Sequence, residues 1–113
     1  MCIRNSGEGM KQLYEMARML YELAAQQGDT TAMFNLGTMY EHGEGVEQSY
    51  ERAFEYYEQA AQLGFATAQY NLGCMYAKGE GVAVDYAKAK VWWAQAGAKG
   101  HEDAIHNLAL LEQ

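Results

Sequence analysis

Side chains with catalytic or metal-binding chemistry are sparse in this sequence. The three histidines, His42, His101 and His106, do not stand in the pattern of a zinc-binding helix, in which two histidines four residues apart flank a glutamate. The two cysteines, Cys2 and Cys74, lie too far apart in sequence to form a metal-binding or redox pair. We therefore expect a protein without catalysis, metal ion or cofactor.

Three further features of the sequence could suggest chemistry, and each also has a structural interpretation. A Cys74–His106 nucleophile–base pair is conceivable because the two residues are close to one repeat length apart, and a deep pocket that holds both with a carboxylate would support it. The segment 43–46, Gly-Glu-Gly-Val, is similar to a phosphate-binding loop, yet its glutamate would repel phosphate, so we interpret it as a turn. A disulfide between Cys2 and Cys74 requires the N-terminus to fold back, and the simpler interpretation is two free thiols in a reducing compartment.

Composition and charge exclude several classes of partner. The chain has 113 residues and a net charge of −7, so it offers phosphates a repulsive field and is a poor candidate for nucleic acid or anionic lipid. No stretch approaches the roughly 20 apolar residues that cross a membrane, and the N-terminal residues have no apolar run of a signal peptide. We therefore expect a cytoplasmic protein.

The sequence repeats itself with a period of 36 residues. Residues 32–67 and 68–103 share 15 identities, among them Gly-Glu-Gly-Val at positions 43–46 and 79–82. Weaker matches extend the register to residues 10 and 113. Within each unit, apolar residues follow a helical spacing twice, at about 31–42 and at about 50–63, and each stretch stops at a glycine. Proline is absent, which suits uninterrupted helices.

A period of this length with two helices per unit predicts an all-α fold, a right-handed α–α superhelix of 36-residue helix–turn–helix repeats. A single pair of helices cannot bury its apolar face, so neighbouring pairs must stack. We predict an N-terminal tail at 1–9, a capping helix at 10–28, repeats at 32–67 and 68–103, and a C-terminal capping helix at 104–113.

The repeat resembles the Sel-one-like repeat family, a relative of the tetratricopeptide repeats. The family pattern of a first helix, a Gly-x-Gly-Val turn and an alanine-rich second helix is present in the first unit at Ala32, Leu36, Gly37, Tyr40, Gly43, Gly45, Val46, Ala53, Tyr57, Ala60, Ala61 and Gly64. The second unit matches at Ala68, Leu72, Gly73, Tyr76, Gly79, Gly81, Val82, Asp85, Lys88, Ala89, Trp93, Ala96 and Gly100. Departures are Ser49 in place of aspartate, Gly97 in place of the second alanine, and Ala109 in place of the glycine of a truncated third unit.

The resemblance implies an adaptor or scaffold that binds proteins on its concave face, and it suggests a bacterial source. Some bacterial relatives carry a disulfide within each repeat. Because neither complete unit here contains a cysteine pair, we do not expect that exported subtype.

Outward positions of the first helix of each unit are the candidate binding residues. Read at intervals of 36 they are Thr31, Phe34, Asn35, Thr38 and His42, then Thr67, Tyr70, Asn71, Cys74 and Lys78, then His106 and Asn107, with Asp103 and Leu110 continuing the register. An asparagine amide both donates and accepts hydrogen bonds, so three of them at one repeat position could grip the backbone of an extended peptide. The alternative interpretation is that they tie neighbouring helices together.

Three functional readings follow from this pattern, and the least favoured is a hydrolase or a small-molecule binder. The first is an interaction adaptor that holds a peptide or protein segment in the groove. The second is a self-associating structural module, a homodimer formed through its terminal helices. The resemblance to tetratricopeptide domains that grip a C-terminal carboxylate is weakened by Thr31, Thr67 and Asp103, which stand where those domains place lysines.

Overall fold

Six α-helices and no strands make up the part of the chain that the structure describes, residues 7–112 of a computed structural model. The helices are α1 (Gly7–Gln26), α2 (Thr30–His42), α3 (Tyr50–Gln62), α4 (Ala66–Lys78), α5 (Tyr86–Ala98) and α6 (Glu102–Leu111). Each helix packs against the helices next to it in the chain, giving an elongated body of 54 × 26 × 22 Å. The prediction of an all-α helical-repeat solenoid is confirmed. We call α2, α4 and α6 the A helices and α1, α3 and α5 the B helices.

Local sequence sets the helix ends. Asp29, Ser49 and Asp85 are N-caps whose side chains accept a hydrogen bond from a backbone N–H of the first turn of α2, α3 and α5. Ser49 therefore caps α3 in the same way as Asp85 caps α5 in the other unit. Both complete A helices stop at a glycine in the left-handed conformation, as expected: Gly43 has φ 69° and Gly79 has φ 73°.

The core of each unit lies between an A helix and the B helix that follows it. The helical spacing predicts an inner face of Ala32, Leu36, Met39, Tyr40, Ala53, Tyr57, Ala60 and Ala61 in the first unit. All of them are buried except Tyr40, which is half-buried. Trp93 takes the place of Tyr57 in the second unit and is buried. Trp92 is half-buried and packs against buried residues of both units.

Successive units are held in register by the second glycine of each Gly-Glu-Gly-Val turn. Gly45 lies directly against Tyr14 of α1, and Gly81 lies directly against the backbone carbonyl of Tyr50 in α3. Tyr14 and Tyr50 are themselves 36 residues apart. Each A–B turn therefore rests on the preceding B helix, and a side chain at this glycine would separate the units.

The N-terminal end of the described chain differs from expectation in one respect. α1 begins at Gly7, so residues 7–9, which the sequence analysis assigned to a tail, are helical. The segment 7–10, Gly-Glu-Gly-Met, is a further copy of the turn motif in the 36-residue register, a match that the sequence analysis missed. In the structure this copy of the motif is part of α1, whereas the copies at 43–46 and 79–82 lie between helices.

No helix within residues 7–112 is both long enough and apolar enough to cross a membrane. Cys74 is a free cysteine, and Cys2 lies outside the described residues.

Candidate protein-binding surface

The twelve predicted binding residues lie on the three A helices, and we call the surface they share the A surface. Thr31, Thr67, His42, Lys78 and His106 are exposed on it. Phe34, Thr38, Tyr70, Cys74 and the three asparagines are half-buried, so part of each side chain is committed to the fold.

Two of the three asparagines contact a tyrosine hydroxyl. Asn71 of α4 interacts with the Tyr57 hydroxyl of α3, and Asn107 of α6 interacts with the Tyr70 hydroxyl of α4. Both interactions connect one unit with the next. An amide has four hydrogen-bonding sites, two donor and two acceptor, so a single bond to a hydroxyl leaves capacity for a ligand. The interpretation that the asparagines connect neighbouring helices therefore has a structural basis at Asn71 and Asn107. At both positions the amide has further donor and acceptor sites for a ligand.

A polar network surrounds the Tyr57 hydroxyl at the centre of the A surface. The hydroxyl donates to the Glu41 carboxylate across 2.6 Å and lies 3.2 Å from the Thr38 hydroxyl. Burial raises the pKa of Tyr57 well above its usual value, and the hydrogen bond to Glu41 raises it further, against smaller lowering effects of Thr38 and Asn71. Tyr57 is thus a neutral donor that holds Glu41 in place.

The aromatic residues at the second outward position pack within the A surface. The Phe34 ring lies 5.6 Å from the Tyr57 ring and 5.2 Å from the Phe65 ring, measured between centroids. The Tyr70 ring is stacked on His101 at 4.6 Å, and His101 also caps α6 by accepting a hydrogen bond from the Ala104 N–H. These rings are half-buried platforms with one side of each committed to the protein.

An open, largely apolar cleft of about 240 Å³ lies at the α4–α6 end of the A surface. Three predicted residues, Cys74, Lys78 and Asn107, line it together with Ala77, Trp93, Leu110 and Leu111. Of these additional residues, Leu110 continues the register of outward positions, so the 36-residue repeat indicated that it lies on this surface. Trp93 is buried in the core of the second unit, and its contribution to the cleft wall depends on the packing of α5 against α4.

The cysteine in this cleft is not an activated nucleophile. Burial raises the pKa of the Cys74 thiol above its usual value, and smaller lowering effects of Tyr70, Trp93 and Lys78 do not reverse this. A protonated thiol is a poor nucleophile. His106 is exposed and does not line the cleft. Between residues 7 and 112 no three His, Cys, Asp or Glu side chains are grouped in a way that could hold a metal ion.

A solenoid of stacked helix pairs with an open, mixed polar and apolar surface on its A helices belongs to the class of helical-repeat proteins. The Sel1 repeat profile matches residues 3–29, 30–65 and 66–101, so the chain belongs to the Sel1 repeat family. The first match begins within residues 1–9, for which the sequence predicts an N-terminal tail. Proteins of this family generally mediate protein–protein interaction and are typically non-catalytic scaffolds.

Solved structures with the same fold come from several bacteria. The chain is 35% identical to a Sel1 repeat protein from Oxalobacter formigenes, with a TM-score of 0.84 over 89% of this chain and 41% of that one. It is also 35% identical to a protective antigen of uropathogenic Escherichia coli displaying an SLR fold, with a TM-score of 0.85 over 87% of this chain and 21% of that one. Helicobacter pylori cysteine rich protein B is 26% identical, with a TM-score of 0.77 over 80% and 68% of the two chains.

The chain thus spans less than half the length of the first two of these relatives. No curated protein sequence matches it.

Proposed function

We propose that the A surface binds an extended segment of another protein, without catalysis, and that the cleft between α4 and α6 receives an apolar side chain of that segment. The observation that carries this proposal is the composition of the cleft. Its wall is apolar, and Asn107 and Lys78 supply an amide and an ammonium group. A concave apolar site with a few polar groups is the usual form of a recognition pocket.

The polar groups define the chemistry of the bound segment. The free hydrogen-bonding sites of Asn71 and Asn107, one repeat apart, suit the backbone N–H and C=O groups of an extended peptide. Lys78 is exposed and would pair with an acidic side chain of the peptide. We therefore expect a segment that carries a medium-sized apolar residue and an acidic residue close to it.

A peptide-selection experiment tests this function. Random dodecapeptides displayed on phage would be selected against the wild-type protein, and the binding of the enriched peptides would be followed by the fluorescence change of the tryptophans, since Trp93 lines the cleft. Leu110→Asp places a charge in the cleft at an exposed position and should weaken binding at least about tenfold. Asn107→Ala should weaken it by a smaller factor.

Val91→Asp is the matched control, because Val91 is as exposed as Leu110 but lies on α5 outside the cleft. It should bind the peptides with wild-type affinity. If Leu110→Asp and Asn107→Ala both bind as the wild type does while remaining folded, the cleft is not the binding site and the proposal is wrong.

A further inference from the structure

The outer face of α1 exposes a row of large apolar side chains. Met16, Met19, Leu20 and Leu23 are between 58% and 64% exposed, and Leu13, one turn earlier, is 43% exposed. The spacing of Leu13, Met16, Leu20 and Leu23 is three, four and three residues, which is the seam of a two-stranded coiled coil. We call these four residues the α1 seam.

The repeat itself does not require apolar residues on much of this face. Met16, Met19 and Leu23 stand 36 residues before Arg52, Glu55 and Gln59, which are polar and exposed on α3. The same positions of α5 hold Lys88, Val91 and Gln95. Two of the three positions are therefore polar in both complete units, and α1 departs from them toward leucine and methionine.

Neighbouring charges do not oppose the pairing of two α1 seams. The residues that flank the seam are Gln12, Met19 and Gln26 on one side and Ala17 and Ala24 on the other, all uncharged. The charged residues of α1 between positions 10 and 26 stand at heptad positions remote from the seam. Glu15 and Glu22, for example, occupy the same position in successive heptads. An acidic chain with a net charge of −7 thus has an uncharged face on which a second copy can dock.

A head-to-tail arrangement is disfavoured by α6. α6 is an A helix with no B helix after it among residues 7–112, so in principle it could pair with α1 of another copy as α2 pairs with α3. That pairing needs a glycine on the A helix, because Gly37 and Gly73 lie directly against the rings of Tyr57 and Trp93. α6 carries Ala109 at this position, and its methyl group would collide with Tyr21 of α1, the counterpart of Tyr57.

We propose that two copies of this chain associate through α1, the two helices lying antiparallel around a twofold axis. In this arrangement Leu13 of one copy meets Leu23 of the other, and Met16 meets Leu20, so the seam is complementary to itself. With Met10 the face exposes on the order of 500 Å² of apolar surface, near the upper end of the range for the largest patch on a monomer. Two copies would bury about 1,000 Å², the lower limit for a specific interface.

Sedimentation equilibrium of the purified chain tests the proposal. We expect a monomer–dimer equilibrium with a dissociation constant of about 10–100 µM, as suits a small interface. The dimer should become tighter as salt is added, because salt screens the repulsion between two acidic copies. The variant Met16→Arg, Met19→Glu, Leu23→Gln copies the exposed residues of α3 onto α1 and should weaken the dimer more than about tenfold.

Val91→Glu is the matched control, since it makes the change of Met19→Glu at the equivalent position of α5. It should leave the dissociation constant of the dimer unchanged, and helical circular dichroism should show that both variants are folded. A wild-type chain that stays monomeric at millimolar concentration would overturn the proposal. So would a triple variant that still dimerises, or association that continues beyond the dimer, which would indicate a head-to-tail chain.

Discussion

The ring of Tyr57 lies so close to the backbone of Gly37 that a methyl group on Gly37 would stand 2.6 Å from two of the ring carbons. Trp93 and Gly73 repeat the relationship in the second unit, where the indole N–H also donates to the carbonyl of Tyr70 across 3.1 Å. The aromatic residue of the B helix and the glycine of the A helix are therefore one structural feature, which brings the two helix axes close together.

This relationship predicts that Gly37→Ala destabilises the protein although alanine is the better helix former. The methyl group must displace the Tyr57 ring, and overpacking of a core costs about 1–3 kcal/mol. The free energy of unfolding, measured by urea denaturation, should fall by this amount. Gly97→Ala is the control: its methyl group would meet only the flexible side chain of Ile105, at 3.1 Å, and this tight contact offsets the gain in helix propensity, so we expect a change close to zero.

The contact between units predicts a larger effect at Gly81. This residue has φ +75°, and a side chain would run into the backbone carbonyl of Tyr50. We expect Gly81→Ala to lower the free energy of unfolding by at least about 2 kcal/mol, the sum of left-handed strain and the steric conflict. Gly100→Ala isolates the strain, because Gly100 has φ +89° with nothing within 4 Å of an added side chain. Equal losses in the two variants would show that the contact contributes nothing.

The buried side chain of Gln69 connects two units by hydrogen bonds, and replacing it should lower the free energy of unfolding. Its side chain is 1% exposed, donates to the carbonyl of Ala61 across 3.1 Å, and accepts from the ammonium group of Lys99 across 3.3 Å. Gln69→Met copies Met33 of the first unit and keeps the volume, but it leaves the Ala61 carbonyl without this donor. The Ala61 carbonyl still accepts from the Gly64 N–H, so the expected loss is that of one hydrogen bond, about 0.5–1.5 kcal/mol by thermal or urea unfolding. Gln95→Met, at an exposed site, should have no measurable effect.

The raised pKa of Tyr57 predicts how the free energy of unfolding depends on pH in alkaline solution. Burial, followed by the hydrogen bond to Glu41, raises the pKa of Tyr57 above 10.0 in the folded protein. The folded state therefore holds the phenolic proton at a pH where the unfolded chain loses it. This contribution to stability is fully present below pH 10.0 and is lost as the pH rises above that value.

Tyr57→Phe isolates this contribution. The free energy of unfolding of the wild type should fall more steeply between about pH 9 and pH 11 than that of Tyr57→Phe, because only the wild type loses this proton on unfolding. Tyr56 has a raised pKa as well, chiefly through burial, so Tyr56→Phe serves as the comparison. Parallel pH profiles for the wild type and Tyr57→Phe would contradict the assignment.

The A surface shows how far sequence could predict a site. The register of 36 placed Cys74 and Lys78 of α4 and Asn107 of α6 at outward positions of successive A helices, and the structure brings these three side chains to one cleft. The register did not place Trp93 there, because a residue of a B helix reaches the cleft only through the close packing of α5 on Gly73. Nor did it indicate that Asn71 and Asn107 contact tyrosines, since those hydroxyls belong to other helices.

The sequence by itself determined the class of fold, the pairing of A and B helices and their buried faces. These properties follow from local helix capping and from a helical spacing of apolar residues, which act over a few residues. Tertiary structure decided what the same motif does in different places. Gly-Glu-Gly-Val forms a turn at 43–46 and at 79–82, whereas Gly-Glu-Gly-Met at 7–10 is part of α1. In each turn the second glycine lies against the preceding B helix, Gly45 against Tyr14 and Gly81 against Tyr50, and such a contact between distant residues depends on tertiary packing and not on the four residues of the motif.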